Sequence, residues 1–478
     1  MKRTTLLVAM LCSTFLGSVQ ANDFTQSKVE FNVPEISAGV GMLDQQKEQM
    51  IGEKVYREIQ GKMPLVQDPW LEDQLGRVFA HILSQTQLGQ PIGLVIINDP
   101  QINAFAVPGG VFALNTGLLQ ASRNMDEVAG VMAHEVAHVS QRHYSRSQEA
   151  FKGQGLLALA GVVVGALIAT QSDGQAGGAL MMGAQAAILD QQLSYSRNQE
   201  READRVGMQY MYSAGFNPHS MADFFEVMHR STSPISFMPD FWLTHPLTTQ
   251  RMSEARLRAQ QLPKVVTAWQ NQDFDTLKWY SMVLSGQANE QQLKNLSERS
   301  DAAKLALAKL YLQKSDFAAA QNSLNQVKQP QHLQRILQTD LYLAQKKWQL
   351  AEQSIASAAK IAPENRALNY KWAEVLLAQG QASEAQSLLQ KFVSKNPRDV
   401  AAWRLLQRCA TAQPMSELQT IQILKYRAEV EYWSGQEEQA IKSLLHAERL
   451  AKQQAKEALA WQLKSRLNQM QTERQMKI

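Results

Sequence analysis

The sequence predicts a mainly α chain in two parts: an α+β domain with a small β-hairpin or sheet, followed by an all-α solenoid. Three observations carry this reading. A helical run at residues 125–143 holds His134-Glu135-Val136-Ala137-His138. Short β-branched runs split by a Pro-Gly-Gly turn stand just before it, and the last third of the chain repeats itself with a period near 34.

On an α-helix, positions i and i+4 lie one turn apart on the same face. Both imidazoles can therefore grip one ion while Glu135, beside the first, leans toward its open side. This is the HExxH arrangement of a zincin-type metalloprotease, with His134 and His138 as ligands, one Zn2+ per chain and Glu135 as base. Val128, Met132, Val136 and Val139 are spaced to bury the same helix. An ordinary amphipathic helix is the plain alternative, but a buried, unpaired His-Glu-His cluster would be costly.

In chain order, Lys2 and Arg3 precede an apolar run at residues 6–16, then Ser18 and Val19-Gln20-Ala21. This reads as a secretory signal cleaved after Ala21, because the run is too short to span a bilayer. Cys12 leaves with it, and Met10-Leu11 does not suit a lipoprotein signal. Cys409 is then the only thiol of the exported chain, which excludes an internal disulfide and leaves packing and metal to hold it. The chain is 45% hydrophobic and 19% charged, ordinary for a globular protein with a large core. Its net charge of +4 falls to about +2 without Lys2 and Arg3, and no basic run is interleaved with aromatics, so nucleic acid is set aside.

Residues 22–41 read as an extended arm. Residues 43–86 turn helical with a break at 64–69, and Trp70, Leu71, Leu75, Val78, Phe79 and Ile82 share one face. Strands follow at 93–98, 103–107 and 111–115, the last two forming a hairpin around Pro108-Gly109-Gly110. Such a strand beside the metal helix could hold an extended peptide by edge pairing, or serve only as structure.

A catalytic zinc usually has three protein ligands. The pattern HExxHxxGxxH fails here, because Gln141 and Tyr144 stand where Gly and His are required. A Glu from a later helix remains. Residues 195–207 are polar and helical, with Glu200 and Asp204 one turn apart. Glu200 can ligate the ion while Asp204 accepts a hydrogen bond from a ligand histidine, although a solvated charged helix is the plain alternative. Between the two metal helices lies an apolar, Gly-rich stretch at 156–189, divided by Gln171, Ser172 and Asp173. It reads as a buried helical pair or as a plate facing membrane or substrate.

From about Pro263 the composition shifts to Gln, Ala, Leu and Lys. Pro330, Pro363 and Pro397 mark the period, and Ala320, Ala385 and Ala440 each follow a small residue, Ser315, Gly380 and Gly435, by five positions. Ala351 follows Lys346 in the same way. This is the tetratricopeptide signature, about four repeats, with an irregular hairpin at 401–411. Such solenoids offer a groove to other proteins, unless this one is a packing appendage. The domains are thus read as 1–21 signal, 22–262 protease and 263–478 repeats.

Asn103-Ala104-Phe105-Ala106-Val107-Pro108-Gly109-Gly110, the HEVAH motif, Ser196-Arg197-Asn198-Gln199-Glu200-Arg201-Glu202-Ala203-Asp204 and residues 244–251 (THPLTTQR) together resemble the HtpX and CAAX-prenyl-protease type of zinc peptidase. With the signal and the repeats, nearly the whole exported chain is similar to the periplasmic branch of that type serving β-barrel assembly in Gram-negative bacteria. The integral-membrane members carry spanning helices, for which the stretch at 156–189 is too short. The resemblance implies His134, His138 and Glu200 as ligands and Glu135 as base. It also implies that His245 faces the metal, either closing the fourth position or donating to the oxyanion, and that Arg251 supports the site. It further implies an endopeptidase with chaperone-like activity, soluble or peripherally attached to the membrane. Its clients would be outer-membrane β-barrel proteins, the lipopolysaccharide-transport barrel among them, and its repeat groove would contact their assembly machinery. A scaffold with a closed, largely inactive zinc site is the alternative. Of the other histidines, His143 follows Arg142 at the helix end and is placed to act as a capping cation. His81, His219, His229, His332 and His446 read as structural or exposed.

Overall fold

The computed structural model describes residues 42–89, 91–150, 197–231, 245, 247–263, 265, 271–329 and 332–475. The signal at 1–21, the arm at 22–41 and the apolar stretch at 156–189 lie outside the described residues. Among those described, no helix is long and apolar enough to cross a membrane.

Helix α1 (Met42–Lys62) is followed by α2 (Pro69–Leu83). Asp68 caps α2 by accepting from Leu71 N, Pro69 occupies the first turn, and the six apolar residues expected on one face are all buried. Strands β1 (Gly93–Ile97), β2 (Ala104–Val107) and β3 (Val111–Asn115) form a sheet in the order β1-β3-β2. β1 runs parallel to β3 with Gly93 opposite Val111, while β2 and β3 form the antiparallel hairpin with Ala106 opposite Phe112. β3 is buried along its whole length. β2 is an edge strand and lies against the metal helix.

Helix α3 (Thr116–Ala121) leads to α4 (Met125–Ser140), the HExxH helix, capped by Asn124 and buried from Met125 to His138. α4 ends earlier than the periodicity suggests, because Arg142 takes a left-handed φ of 53° and starts α5 (His143–Ala150) in a new direction. Helices α6 (Arg197–Ser213) and α7 (His219–Ser231) pack on α4, and α8 (Thr249–Gln261) packs on both of them. Gly207 lets α6 close on α4 backbone to backbone: a Cβ there would stand 2.9 Å from Ala133 O and 3.0 Å from His134 Cα.

The remaining helices are α9 (Asn271–Leu284), α10 (Glu290–Ser297), α11 (Asp301–Gln313), α12 (Phe317–Asn325), α13 (His332–Ala344), α14 (Trp348–Ile361), α15 (Arg366–Ala378), α16 (Ala382–Lys395), α17 (Val400–Thr411), α18 (Glu417–Trp433), α19 (Glu437–Gln453) and α20 (Glu457–Gln475). Ser315, Lys346, Gly380 and Gly435, all with positive φ, turn the chain within the pairs α11/α12, α13/α14, α15/α16 and α18/α19. Five residues on, Ala320, Ala351, Ala385 and Ala440 are fully buried where the second helix of each pair meets its neighbours. The irregular segment at 401–411 is α17, which packs on α16 and α18.

α1 belongs to the core of the C-terminal helices as much as to the sheet. Ile51, Val55, Ile59 and Met63 share one buried cluster with Val95, Val107 and Val111 on one side and Tyr432, Trp433, Ala440 and Leu444 on the other. Gly435 makes the approach possible, since a Cβ at this residue would lie 2.4 Å from Arg57 O. Arg57 Nε also donates to Glu437 at 2.8 Å.

Candidate metal centre

α4 presents His134, Glu135 and His138, α6 presents Glu200 and Asp204, and His245 and Arg251 come from the segment leading into α8 and from its first turn. All seven are at most 3% exposed. The arrangement brings together every site residue that the sequence suggested.

The ligating atoms of His134, His138, Glu200 and His245 lie within 4.8 Å of one another. His134 Nε2 stands 3.0 Å from His138 Nε2 and 3.4 Å from His245 Nδ1. The Glu200 oxygens are 3.5 Å from His134 Nε2, 3.4 Å from His138 Nε2 and 3.0 Å from His245 Nδ1. Four donors about 2.0–2.1 Å from an ion at tetrahedral corners would stand about 3.3–3.4 Å apart, so these spacings fit one ion. Charge agrees: one buried guanidinium, Arg251, pairs with Glu200 and Asp204 while Glu135 lies beside His245, and the surplus of negative charge is what a divalent cation would neutralise.

Arg251 grips Asp204 with two parallel bonds of 2.7 Å from Nε and Nη2, and its Nη1 lies 2.7 Å from Glu200. Asp204 in turn faces His134 Nδ1 at 3.0 Å, which leaves Nε2 free to point its lone pair at the cluster. Burial opposes ionisation of Glu200, yet His245, His138 and Arg251 hold its carboxyl well below the usual range. Burial would also strip the proton from His134, but hydrogen bonds to Asp204 and Glu200 outweigh it and raise the imidazole to about 10. That proton balances the charge a metal would balance, and metal binding displaces it. Burial pushes His138 well below its ordinary value.

Glu135 is the base candidate. Burial pushes its carboxyl up, against His245 and His134, and the backbone N–H of Ala106 donates to it. That donor reaches it because β2 is an edge. Asn115 N bonds to Asn103 O at 2.9 Å, so residues 103, 105 and 107 face β3 while Ala104 and Ala106 turn their backbone groups outward. His245 Nε2 sits 3.4 Å from Glu135 Oε1 while its Nδ1 lies among the ligand atoms, so one imidazole bridges base and cluster.

His143 corrects its sequence reading. It opens α5, is fully buried and is not a capping cation, since burial lowers its imidazole to about 4 despite the opposing Glu202. Its Nδ1 lies 3.0 Å from His138 Nδ1 and its Nε2 lies 3.1 Å from Glu202 Oε2, with the His138 and His143 rings edge to face. Periodicity gave no signal for this: on an unbroken helix the residue five on from His138 points about 140° away.

Residues 67–259 match the profile of Peptidase family M48, and residues 342–409 match a tetratricopeptide repeat profile. The chain is 30% identical to the beta-barrel assembly-enhancing protease of Yersinia pestis over 91% of its length and 92% of that relative. It is 28% identical to the Escherichia coli K12 protein of that name, over 92% and 91% of the two chains. It is also 27% identical to the putative beta-barrel assembly-enhancing protease of Vibrio cholerae over 84% of each.

Proposed function

The chain belongs to the family of the beta-barrel assembly-enhancing proteases, and from that premise we propose that it is an exported, zinc-dependent endopeptidase whose site rests closed. His134, His138 and Glu200 would hold the ion, and His245 would close the position that water needs. The observation that carries this is the buried four-residue cluster with Glu135 at its rim.

When bound, the ion supplies Lewis acidity that polarises the scissile carbonyl and lets water attack near neutral pH. The chain's own residues do the rest. The outward backbone groups of Ala104 and the outward carbonyl of Ala106 pair with an extended substrate and lay it along β2, the Ala106 N–H being held by Glu135. Glu135 takes a proton from the attacking water onto its carboxylate and returns it to the leaving amine. Asp204 and Arg251 hold His134 and Glu200 in register. His245 has to leave before substrate enters, and its imidazole N–H can then donate to the oxyanion.

The division into a protease at 22–262 and repeats at 263–478 supports selection of clients by the groove and their removal by the site. Unfolded or misassembled outer-membrane β-barrel proteins are the proposed clients, including the lipopolysaccharide-transport barrel, with the assembly machinery as groove partner and the periplasm as compartment. Peripheral membrane contact fits the apolar stretch at 156–189.

Metal content by elemental analysis and cleavage of casein or an unfolded barrel test this in wild type, Glu135→Gln and His245→Ala. About one zinc per chain is expected, with turnover lowered at least about 100-fold in Glu135→Gln and raised in His245→Ala. Normal peptidase activity in Glu135→Gln would overturn the assignment. The position of His245 Nδ1 favours one second reading, a scaffold or chaperone whose zinc site stays shut. Full client-folding function in Glu135→Gln, with no cleavage in any variant, would support it.

A further inference from the structure

We propose that His143 and Glu202 form a positioning relay for His138, one that fixes which ring nitrogen of His138 faces the metal. This deepens the proposed function and rests on His138 being a ligand. His138 Nε2 points into the ligand cluster, 3.0 Å from His134 Nε2 and 3.4 Å from Glu200 Oε1. An imidazole that gives its Nε2 lone pair to an ion carries its proton on Nδ1. That Nδ1 lies 3.0 Å from Nδ1 of His143, so the His143 nitrogen has to accept and its own proton has to sit on Nε2, which faces Glu202 Oε2 at 3.1 Å. Each link dictates the next. Glu202 ends the relay on Arg146, whose Nη1 is 3.0 Å away.

The backbone is arranged to make this contact. Arg142, at φ 53°, breaks the helix and swings His143 back over His138. Glu48 of α1 accepts from Arg142 Nη2 at 2.9 Å and from Ser145 Oγ at 2.7 Å, holding the break from outside. Gln199, next to Glu200, donates from Nε2 to the backbone carbonyl of His143 at 3.0 Å. The two ligand histidines are thus supported in different ways. His134 leans on Asp204, which is locked to Arg251, whereas His138 leans on a second imidazole whose carboxylate reaches the partly exposed Arg146.

The test measures zinc affinity of the full chain by competition with a chromophoric chelator, together with thermal unfolding of each chain. His143→Phe keeps a ring and removes both nitrogens, and affinity is expected to fall about 10- to 100-fold. His143→Asn, whose amide oxygen can accept the Nδ1 proton, is expected to recover most of that loss. Glu202→Gln, at a partly exposed position, is expected to fall between the two without disturbing the fold. Histidine-selective 15N labelling of the zinc-loaded wild type reads the relay directly: His143 should be neutral with its proton on Nε2. If His143→Phe folds and binds zinc as tightly as wild type, or if His143 carries its proton on Nδ1, the relay is wrong while the zinc site stands. If His143→Phe fails to fold, the affinity of Glu202→Gln and the His143 tautomer decide the matter. Wild type that binds no zinc would overturn the site reading on which the relay rests.

Discussion

Two guanidiniums, Arg251 and Arg366, each gather more than one carboxylate, and their surroundings decide what becomes of the surplus charge. Arg251 meets Glu200 and Asp204 with Glu135 close by, all sealed from water among imidazoles whose nitrogens converge on one point. Arg366 links α15 to α2 and α17 through Glu72 at 3.0 Å, Asp73 at 3.1 Å and Asp399 at 2.8 Å. The Glu72 side chain remains 27% exposed. There, burial outweighs the pull of Arg366, with Asp399 adding to it, and pushes the Glu72 carboxyl up to about 7. One cluster fits a metal and the other takes a proton. An excess of carboxylates over arginine does not define a metal centre; convergent histidine lone pairs in a sealed site do.

The largest expected effect separates the two arginines. Arg251→Met strands two sealed carboxylates and should cost about 3–5 kcal/mol, with loss of metal. Arg366→Met leaves Glu72 and Asp73 able to reach water and leaves Asp399 with its bonds from Tyr370 and Ala402 N, so about 1–2 kcal/mol is expected. Urea unfolding of both at pH 7 checks this, and equal losses would erase the contrast. Next comes chelation. Stripping the ion should lower stability by about 4 kcal/mol if wild type is held at a thousandfold excess of metal over its dissociation constant. The same shift is expected in Arg366→Met, and a chelator without effect would remove the metal from the comparison.

The smallest effect concerns pH. Folded Glu72 keeps its proton up to about 7, whereas the unfolded chain releases it near the ordinary 4.5. The stabilising preference for the protonated form is therefore complete below pH 4.5 and is lost as pH rises through 7. Allowing for partial exposure, wild type should lose about 1–2 kcal/mol across that window. Glu72→Gln should show a correspondingly flatter profile between pH 4.5 and 8. An unchanged slope in denaturant midpoints would show that the second cluster does not relieve its charge by protonation.

What was legible in the sequence is what neighbours along the chain determine. The buried face of α2, the strands and their Pro-Gly-Gly turn, the HExxH pair, the Glu200 and Asp204 spacing and the alanines five residues after each repeat turn all follow from local period. His245 and Arg251 entered only through family resemblance, since nothing in their local pattern points to a metal. The place of His143 against His138 is not legible along the chain because it depends on the left-handed Arg142, a backbone state that few side chains announce. The sharing of α1 between sheet and repeats was equally invisible. It depends on Gly435 admitting the Arg57 backbone, a contact between residues almost four hundred positions apart.

That shared helix has a consequence for the order of folding. The acceptor side chain that braces Arg142 and Ser145 comes from Glu48, on the same α1 whose later turns are buried against α18 and α19. The Arg57 to Glu437 contact spans 380 residues of sequence. Closing a loop of that length is entropically slow and cannot precede synthesis of its far end. The later turns of α1, from Val55 to Ile59, are therefore fully packed only after the last hairpins have docked, whereas the turn at Glu48 already rests on the sheet at Gly109. One early helix thus joins the sheet to the repeats, and its core closes only once both of its neighbours have folded.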